Sequence, residues 1–242
     1  VKFRNNTFLF EKIKDKWTET SYGETQKLVY QFGAGLVELG VKPKNNIALL
    51  SEGRNSWVIG ELAMFYAGAV NVPLSIKLEE SNDLLFRLKH SESAYIMVSA
   101  NQLTKIRAIK SELPDLKYII VLDELDEYQD REISMKEVCM KGDQLLARDK
   151  EGFLKIGQSL QNDDIATITY TSGTTADPKG IMLTHRNYTA NVEQSLSLTN
   201  VQESWRTLII LPLDHCFAHV VGFYIFMHKG AAIATVQTGR TA

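Results

Sequence analysis

The first half of the chain alternates short apolar runs with longer segments in which apolar residues recur at helical spacing. The runs are four or five residues long and occur at residues 47–50, 70–74, 95–98 and 118–122. Short runs of this kind are typical of strands that are buried on both faces of a parallel sheet. The alternation predicts an α/β fold with mostly parallel sheets, covered by helices on both faces.

Local signals predict where the helices begin and end. Ser21 and Glu24 have the spacing of a capping box, and the helix that they start is expected to end at Gly40. Asn55 and Ser81 are predicted to cap the next two helices. A hairpin is expected from residues 7–10 and 17–20, with further helices near residues 102–113, 134–146, 187–198 and 215–228. Residues 147–163 are interpreted as a polar connection, and the remaining strands as residues 165–170, 207–213 and 231–236.

Composition and charge narrow the class of protein. The 242 residues carry a formal net charge of −2, with 44% hydrophobic and 23% charged residues, as in ordinary globular proteins. This balance gives no basic surface for nucleic acid. The two cysteines, Cys139 and Cys216, lack paired spacing, which favours a reducing compartment. Because the N-terminal residues lack the apolar core of a signal peptide, we expect a cytoplasmic protein with at most peripheral membrane contact.

The segment from Thr171 to Gly180 has the composition of an anion-binding loop. It follows a predicted strand and combines four hydroxyl side chains and two glycines with one lysine, Lys179. Hydroxyl and backbone N–H donors in a glycine-containing turn surround phosphate well, and a lysine adds a compact positive charge. We predict phosphate binding. The candidate residues are Thr171, Ser172, Gly173, Thr174, Thr175, Lys179 and Gly180.

The common nucleotide-binding loop G-x-x-x-x-G-K-[ST] does not describe this segment. The spacing from Gly173 to Lys179 agrees, but Pro178 replaces the second glycine and Gly180 replaces the Ser/Thr that binds magnesium. Pro178 has no backbone N–H and cannot donate to phosphate. A kinase or NTPase of that type is therefore disfavoured.

The loop resembles the signature of the adenylate-forming enzymes, a superfamily that includes acyl-CoA synthetases, luciferases and peptide-synthetase adenylation domains. The resemblance rests on the loop and on the segment Ile181-Met182-Leu183-Thr184-His185-Arg186-Asn187 after it. It extends to the motif at residues 66–74 and to Leu211-Pro212-Leu213-Asp214-His215. The last of these is most similar to long-chain acyl-CoA synthetases.

The resemblance implies a ligase that works in two steps. A fatty acid would react with ATP to give an acyl-adenylate, and CoA would then take the acyl group, with Mg²⁺ bridging phosphates. In this interpretation the loop binds the ATP phosphates and Lys179 neutralises their charge. His215 lies beside the carboxylate of the acid, and Phe217 lines the acyl site. Helical spacing by itself favours a core position for Phe217.

Two features depart from the superfamily pattern. Ala176 stands where the loop usually has glycine, at a cost of roughly 1 kcal/mol if the position needs a positive φ. The later motifs, with the magnesium ligand, the adenine contacts and a second lysine, do not occur before Ala242. We therefore expect residues 1–242 to be the N-terminal portion of an AMP-binding domain, without its C-terminal lid domain and inactive alone.

Two constellations have simpler explanations than metal binding. His215 and His219 have the i, i+4 spacing of zinc-binding H-E-x-x-H, but Cys216 replaces the glutamate and a third ligand is missing. The charged stretch at residues 123–132 fits no metal loop, and we interpret it as a solvated connection. No metal site is predicted.

Two alternative functions remain open. Asp214 would suit the ammonium group of an amino acid, so the substrate could be another carboxylic or amino acid. A non-catalytic module that holds phosphate or acyl groups is the other alternative.

Overall fold

The computed structural model describes residues 2–13, 15–171 and 178–236. The helices are α1 (Tyr22–Glu38), α2 (Asn55–Tyr66), α3 (Ser81–His90), α4 (Ala100–Ile109), α5 (Met135–Gln158), α6 (His185–Leu198) and α7 (Ile225–Lys229). A π-helical segment, Ala218–Tyr224, leads directly into α7. The strands are β1 (Thr7–Ile13), β2 (Lys16–Ser21), β3 (Asn46–Leu50), β4 (Val70–Leu74), β5 (Tyr95–Val98), β6 (Tyr118–Val121), β7 (Glu132–Ser134), β8 (Ile165–Thr171), β9 (Lys179–Thr184), β10 (Arg206–Ile209) and β11 (Ala232–Thr235).

The strands form two sheets. Seven of them are ordered β7-β6-β5-β3-β4-β8-β9, all parallel except β9, which runs antiparallel to β8. The other four are ordered β10-β11-β1-β2, with only β2 antiparallel. Strand order reverses around β3, because β4 lies on one side of it and β5 on the other. The predicted α/β fold of mostly parallel sheets is confirmed.

Helices cover both faces of the seven-stranded sheet. On one face α3 and α4 bury a core that includes Leu84, Leu103 and Ile106. On the other face α1, α2 and α5 pack against one another, and α1 and α2 also contact β1 of the second sheet. The two helices therefore lie between the sheets, and Phe32 and Trp57 there are almost completely buried.

Helix α1 starts and ends at the expected signals, whereas α2 and α3 do not start at their predicted caps. The capping box of Ser21 and Glu24 is present, and Gly40 has φ +89° after α1. The predicted caps Asn55 and Ser81 are wrong, since each is the first residue of its helix and the cap positions belong to Arg54 and Glu80. The amide oxygen of Asn55 instead accepts a hydrogen bond from Thr235.

The second half of the chain departs more from the sequence-based prediction. Helix α5 continues to Gln158, so the polar connection expected from residue 147 is wrong. Strand β10 is shorter than predicted and lies at a sheet edge, where Leu208 is 43% exposed. Strands β7 and β9 were not predicted. None of the helices in the described ranges is long and apolar enough to cross a membrane.

The charged stretch after β6 is not simply solvated. Asp123 accepts two hydrogen bonds from Arg54, at 2.7 and 2.9 Å, and one from the backbone N–H of Ala100. At its other end Glu132 accepts two hydrogen bonds from Arg107. The first pair joins the segment after β6 to the start of α2, and the second joins the first residue of β7 to α4.

Candidate active site

The phosphate-loop candidates that the structure describes lie at the paired ends of β8 and β9. Thr171 and Lys179 are register partners across the hairpin, and both are exposed. Ser172, Gly173, Thr174 and Thr175, together with Ala176, lie outside the described residues. Thr171 is the carboxyl-terminal residue of β8, at the edge of the sheet where open α/β sheets bind their ligands. A hydroxyl and an ammonium group are therefore placed side by side at that edge.

Gly180 has a packing reason for being glycine. It faces Tyr170 in the hairpin, and a Cβ atom built on it would lie 3.0 Å from Cγ2 of Ile168. A methyl group at this position would press on the Ile168 side chain. The sequence interpretation, which gave Gly180 a role in letting the backbone approach phosphate, stays a prediction.

The end of the hairpin starts helix α6 with a second capping box. The hydroxyl of Thr184 accepts from the N–H of Asn187, whose amide oxygen accepts from the N–H of Thr184. Arg186 forms an exposed ion pair with Asp163 at 2.7 Å. Thr184, Arg186 and Asn187 therefore hold the start of α6 against the end of the hairpin. His185, the first residue of α6, is partly buried.

His215 and Phe217 lie on the surface ahead of the π-helical segment. The Phe217 side chain is 54% exposed, and its backbone N–H donates to Nδ1 of His215 at 3.3 Å. This contact orients the imidazole at the start of the helical segment. The structure does not bring either side chain into the cavity described below.

His219 is separated from His215 by burial. It is completely buried, and its Nε2 lies 3.1 Å from Oε1 of Glu61, which is buried too. Within the described ranges no group of three or more His, Cys, Asp or Glu residues forms a metal site. His215 is exposed and His219 is buried, so their i, i+4 spacing does not place them in a common site.

Glu61 and His219 belong to a buried polar cluster that sequence reasoning missed. Asn71 donates to Oε1 of Glu61 at 2.8 Å, and the ring of Tyr224 stacks on His219 with centroids 5.8 Å apart. Burial, followed by the nearby Glu61 carboxylate, raises the pKa of Tyr224 well above its ordinary value. The only sequence signal was the presence of one acidic residue within an otherwise apolar helix, α2.

The cluster is continued by Thr167 of β8. Thr167 pairs with Asn71 across the β4–β8 ladder, and its hydroxyl lies 2.8 Å from the hydroxyl of Tyr188 on α6. The strand that ends at the phosphate-loop candidates is therefore hydrogen-bonded to α6. Its partner Asn71 is hydrogen-bonded to Glu61, which contacts His219 of the π-helical segment.

An apolar cavity of about 380 Å³ lies between α2, α6 and the π-helical segment with α7. Its wall is made mainly of apolar and aromatic side chains, and four polar residues border it: His185, Thr189, Glu193 and His228. Volume and lining are those of a small-molecule site. The apolar lining consists of Leu62, Phe65, Ala166, Tyr188, Val192, Tyr224 and Met227.

The structure thus has a hydroxyl and an ammonium group at the carboxyl end of β8, and an apolar cavity lined by Ala166 near the amino end of the same strand. The model of the AMP-binding enzyme family matches residues 2–242, and the chain belongs to this family. Its members are adenylate-forming ligases.

Curated relatives are ligases of fatty acids. A long-chain fatty acid–acyl-carrier-protein ligase of Arabidopsis thaliana is 28% identical over 93% of this chain and 32% of its own length. Fatty acyl-CoA synthetase B of Dictyostelium discoideum is 32% identical over 82% of this chain and 30% of its own. The chain spans about a third of the length of these relatives.

Solved structures share the fold. An anthranilate CoA ligase in complex with anthranoyl-AMP has a TM-score of 0.81 at 23% identity, covering 97% of this chain and 42% of the other. The N-terminal domain of FACL13 from Mycobacterium tuberculosis, with a bound inhibitor, has a TM-score of 0.74 at 20% identity, covering 96% of this chain and 54% of the other. At these identities the likeness concerns the fold.

Proposed function

We propose that the protein takes part in activating a long-chain fatty acid with ATP and in transferring the acyl group to CoA. The carboxylate attacks the α-phosphate of ATP, so that an acyl-adenylate forms and pyrophosphate leaves. The thiol of CoA then attacks the acyl carbonyl, and AMP leaves with the electron pair of the broken mixed-anhydride bond.

The β8–β9 hairpin supplies the donors for the departing phosphates. Lys179 neutralises negative charge, and Thr171 donates from the opposite strand of the hairpin. Ser172, Gly173, Thr174, Thr175 and Gly180 complete the loop in this proposal. Little covalent chemistry falls to the protein in such a step, which depends on positioning and charge stabilisation.

The observation that carries the proposal is the position of the apolar cavity. Its walls come from α6, which follows the phosphate-loop hairpin, and from the helical segment that follows Leu211–His215. The family resemblance rests on the β8–β9 hairpin and on Leu211–His215. Each of these segments is followed by a helical segment that lines the same cavity. We assign the hydrocarbon chain of the acid to it, with His215 and Phe217 nearer the carboxylate.

Magnesium would bridge the phosphates and reduce their charge. Thr171 and Lys179 suit phosphate oxygens but cannot supply a carboxylate to the metal, and the described residues hold no metal-binding cluster. We assign no metal ligand in this chain.

Calorimetric titration with Mg-ATP and then with palmitate tests the proposal. We expect Lys179→Ala to weaken ATP binding by about tenfold or more, since a charge-assisted contact contributes roughly 1.5–3 kcal/mol, and to leave palmitate affinity unchanged. Lys150→Ala, an exposed lysine on α5, is the matched control.

In the complete protein that carries this chain, Lys179→Ala is expected to slow ATP–pyrophosphate exchange more than it weakens acid binding. Unchanged exchange would refute the role of Lys179. Thioester formation with a panel of fatty, aryl and amino acids identifies the substrate class.

A further inference from the structure

A second cavity adjoins the one assigned to the hydrocarbon chain. Its volume is about 370 Å³, and it lies toward α1 and α5, where Tyr30, Tyr66 and Leu160 line it. Phe65 and His185 line both cavities, and the remaining lining residues of the two do not overlap. These two side chains therefore stand between the cavities.

The two rings contact each other at the boundary between the cavities. Phe65 of α2 and His185 of α6 meet edge to face, with centroids 5.2 Å apart and an interplanar angle of 75°. Both side chains are only partly buried. A partition of this kind rests on two side chains and moves without a change in the backbone.

The His185 ring presents an uncharged surface to both cavities. Burial lowers its pKa, and the carboxylates of Asp164 and Glu61 oppose this only in part. Its Nε2 is buried and has no hydrogen-bond partner among the described residues. At neutral pH the His185 imidazole is therefore uncharged.

We infer that Phe65 and His185 set the length of acid that the protein binds best. The hydrocarbon chain fills the first cavity up to this pair, and a longer chain gains contact only after displacing the pair toward the second cavity. The inference rests on the proposed function, because it takes the fatty chain as the occupant of the first cavity.

A series of saturated fatty acids of increasing length tests this by displacement of a fluorescent fatty acid. Each methylene that enters an apolar site is expected to raise affinity about fourfold. Affinity should therefore rise steadily with length and level off where the chain reaches the pair. The length at which it levels off is the quantity to compare between variants.

Phe65→Ala and His185→Ala open the partition, and each is expected to move this length upward by about two to four carbons, since the removed atoms leave space for methylenes. Leu62→Ala is the matched control, because Leu62 lines the first cavity only. It should weaken binding of all acids and leave the levelling length in place. Tyr66→Ala, in the second cavity only, should change neither quantity.

The outcomes separate the two claims. If acids bind and the levelling length is the same in Phe65→Ala, His185→Ala and the unmodified chain, the inference is wrong and the proposed function stands. If no acid binds to the folded chain, the proposed function fails and the inference fails with it. Circular dichroism melts identify which variants are folded, and either partition variant alone suffices for the comparison.

Discussion

Glu61 and His219 depend on each other, because both side chains are completely buried. Removing His219 leaves Glu61 with only the hydrogen bond from Asn71, and breaking a buried pair costs about 3–5 kcal/mol. We expect His219→Ala to lower the free energy of unfolding by this amount, measured by urea denaturation. The exposed His215→Ala should change it by less than about 0.5 kcal/mol.

A double-mutant cycle decides whether the loss comes from the pair itself. Glu61→Gln removes the carboxylate, so adding it to His219→Ala should recover part of the lost stability. Simple additivity of the two single changes would mean that His219 stabilises the core by packing against Trp57 and Tyr224, without help from Glu61.

Asp123 makes stability depend on pH. Burial alone would raise its pKa, but hydrogen bonds from Arg54 and from the N–H of Ala100 bring the pKa below its ordinary value. The folded chain then binds this proton less readily than the unfolded chain. The stabilisation is complete above the ordinary Asp pKa of about 3.9 and disappears as pH falls through the lower folded value.

Unfolding free energies of the unmodified chain and Asp123→Asn, measured from pH 7 downward, test this. Their difference should be largest at neutral pH and shrink below about pH 4. Asp126→Asn, in the same exposed stretch, is the control and should show no such trend. A difference that stays constant with pH would exclude the Arg54 contact as its source.

At the scale of elements, α1 and α5 approach through glycines. A Cβ atom on Gly142 of α5 would overlap the backbone carbonyl of Gln31 on α1, and one on Gly35 would overlap the carbonyl of Val138. Alanine is the better helix former by about 1 kcal/mol. We nevertheless expect Gly142→Ala to lower the melting temperature, because the helices must separate. Gln144→Ala, exposed on the same helix, should leave it unchanged or raise it.

The elements that the sequence predicted best are those with one strong local signal. Strands β3 to β6 are mainly apolar and almost wholly buried, and α1 carries both a capping box and a terminal glycine. The sequence-based prediction ended α5 too early, because the helix is interrupted at Asp149, which has a non-helical backbone. The Asp149 carboxylate accepts a hydrogen bond from the N–H of Gly152, where the second part of the helix starts. Charged residues around this break conceal the helical periodicity.

The candidate site was predictable only where a motif carries it. The hairpin loop and the Leu211–His215 segment have recognisable chemistry, whereas Glu61, Asn71, Tyr188 and His219 come together only through the fold. Thr167 and Asn71 meet because β8 pairs with β4, a pairing that no local pattern encodes. The cavity and its partition likewise depend on how α2, α6 and α7 pack.

At the scale of the whole molecule, one end of the four-stranded sheet presents apolar side chains to solvent. Strand β10 is its edge strand, and Leu208, Ile210 and Leu211 at its end are 43%, 66% and 47% exposed. Phe217, which follows a few residues later in the chain, is another exposed apolar side chain. Exposed apolar edges favour association, whether with other parts of a protein or with further copies.

We expect the chain to self-associate as its concentration rises, and Ile210→Lys to shift the equilibrium toward monomer in sedimentation velocity experiments. A charge on the edge strand opposes the addition of another strand, and it removes the most exposed apolar side chain of the three. Trp17→Lys is the matched control, because Trp17 is 49% exposed on β2, the opposite edge of the same sheet. Equal effects of both changes would point to general solubility, whereas an effect of Ile210→Lys alone assigns the association to β10.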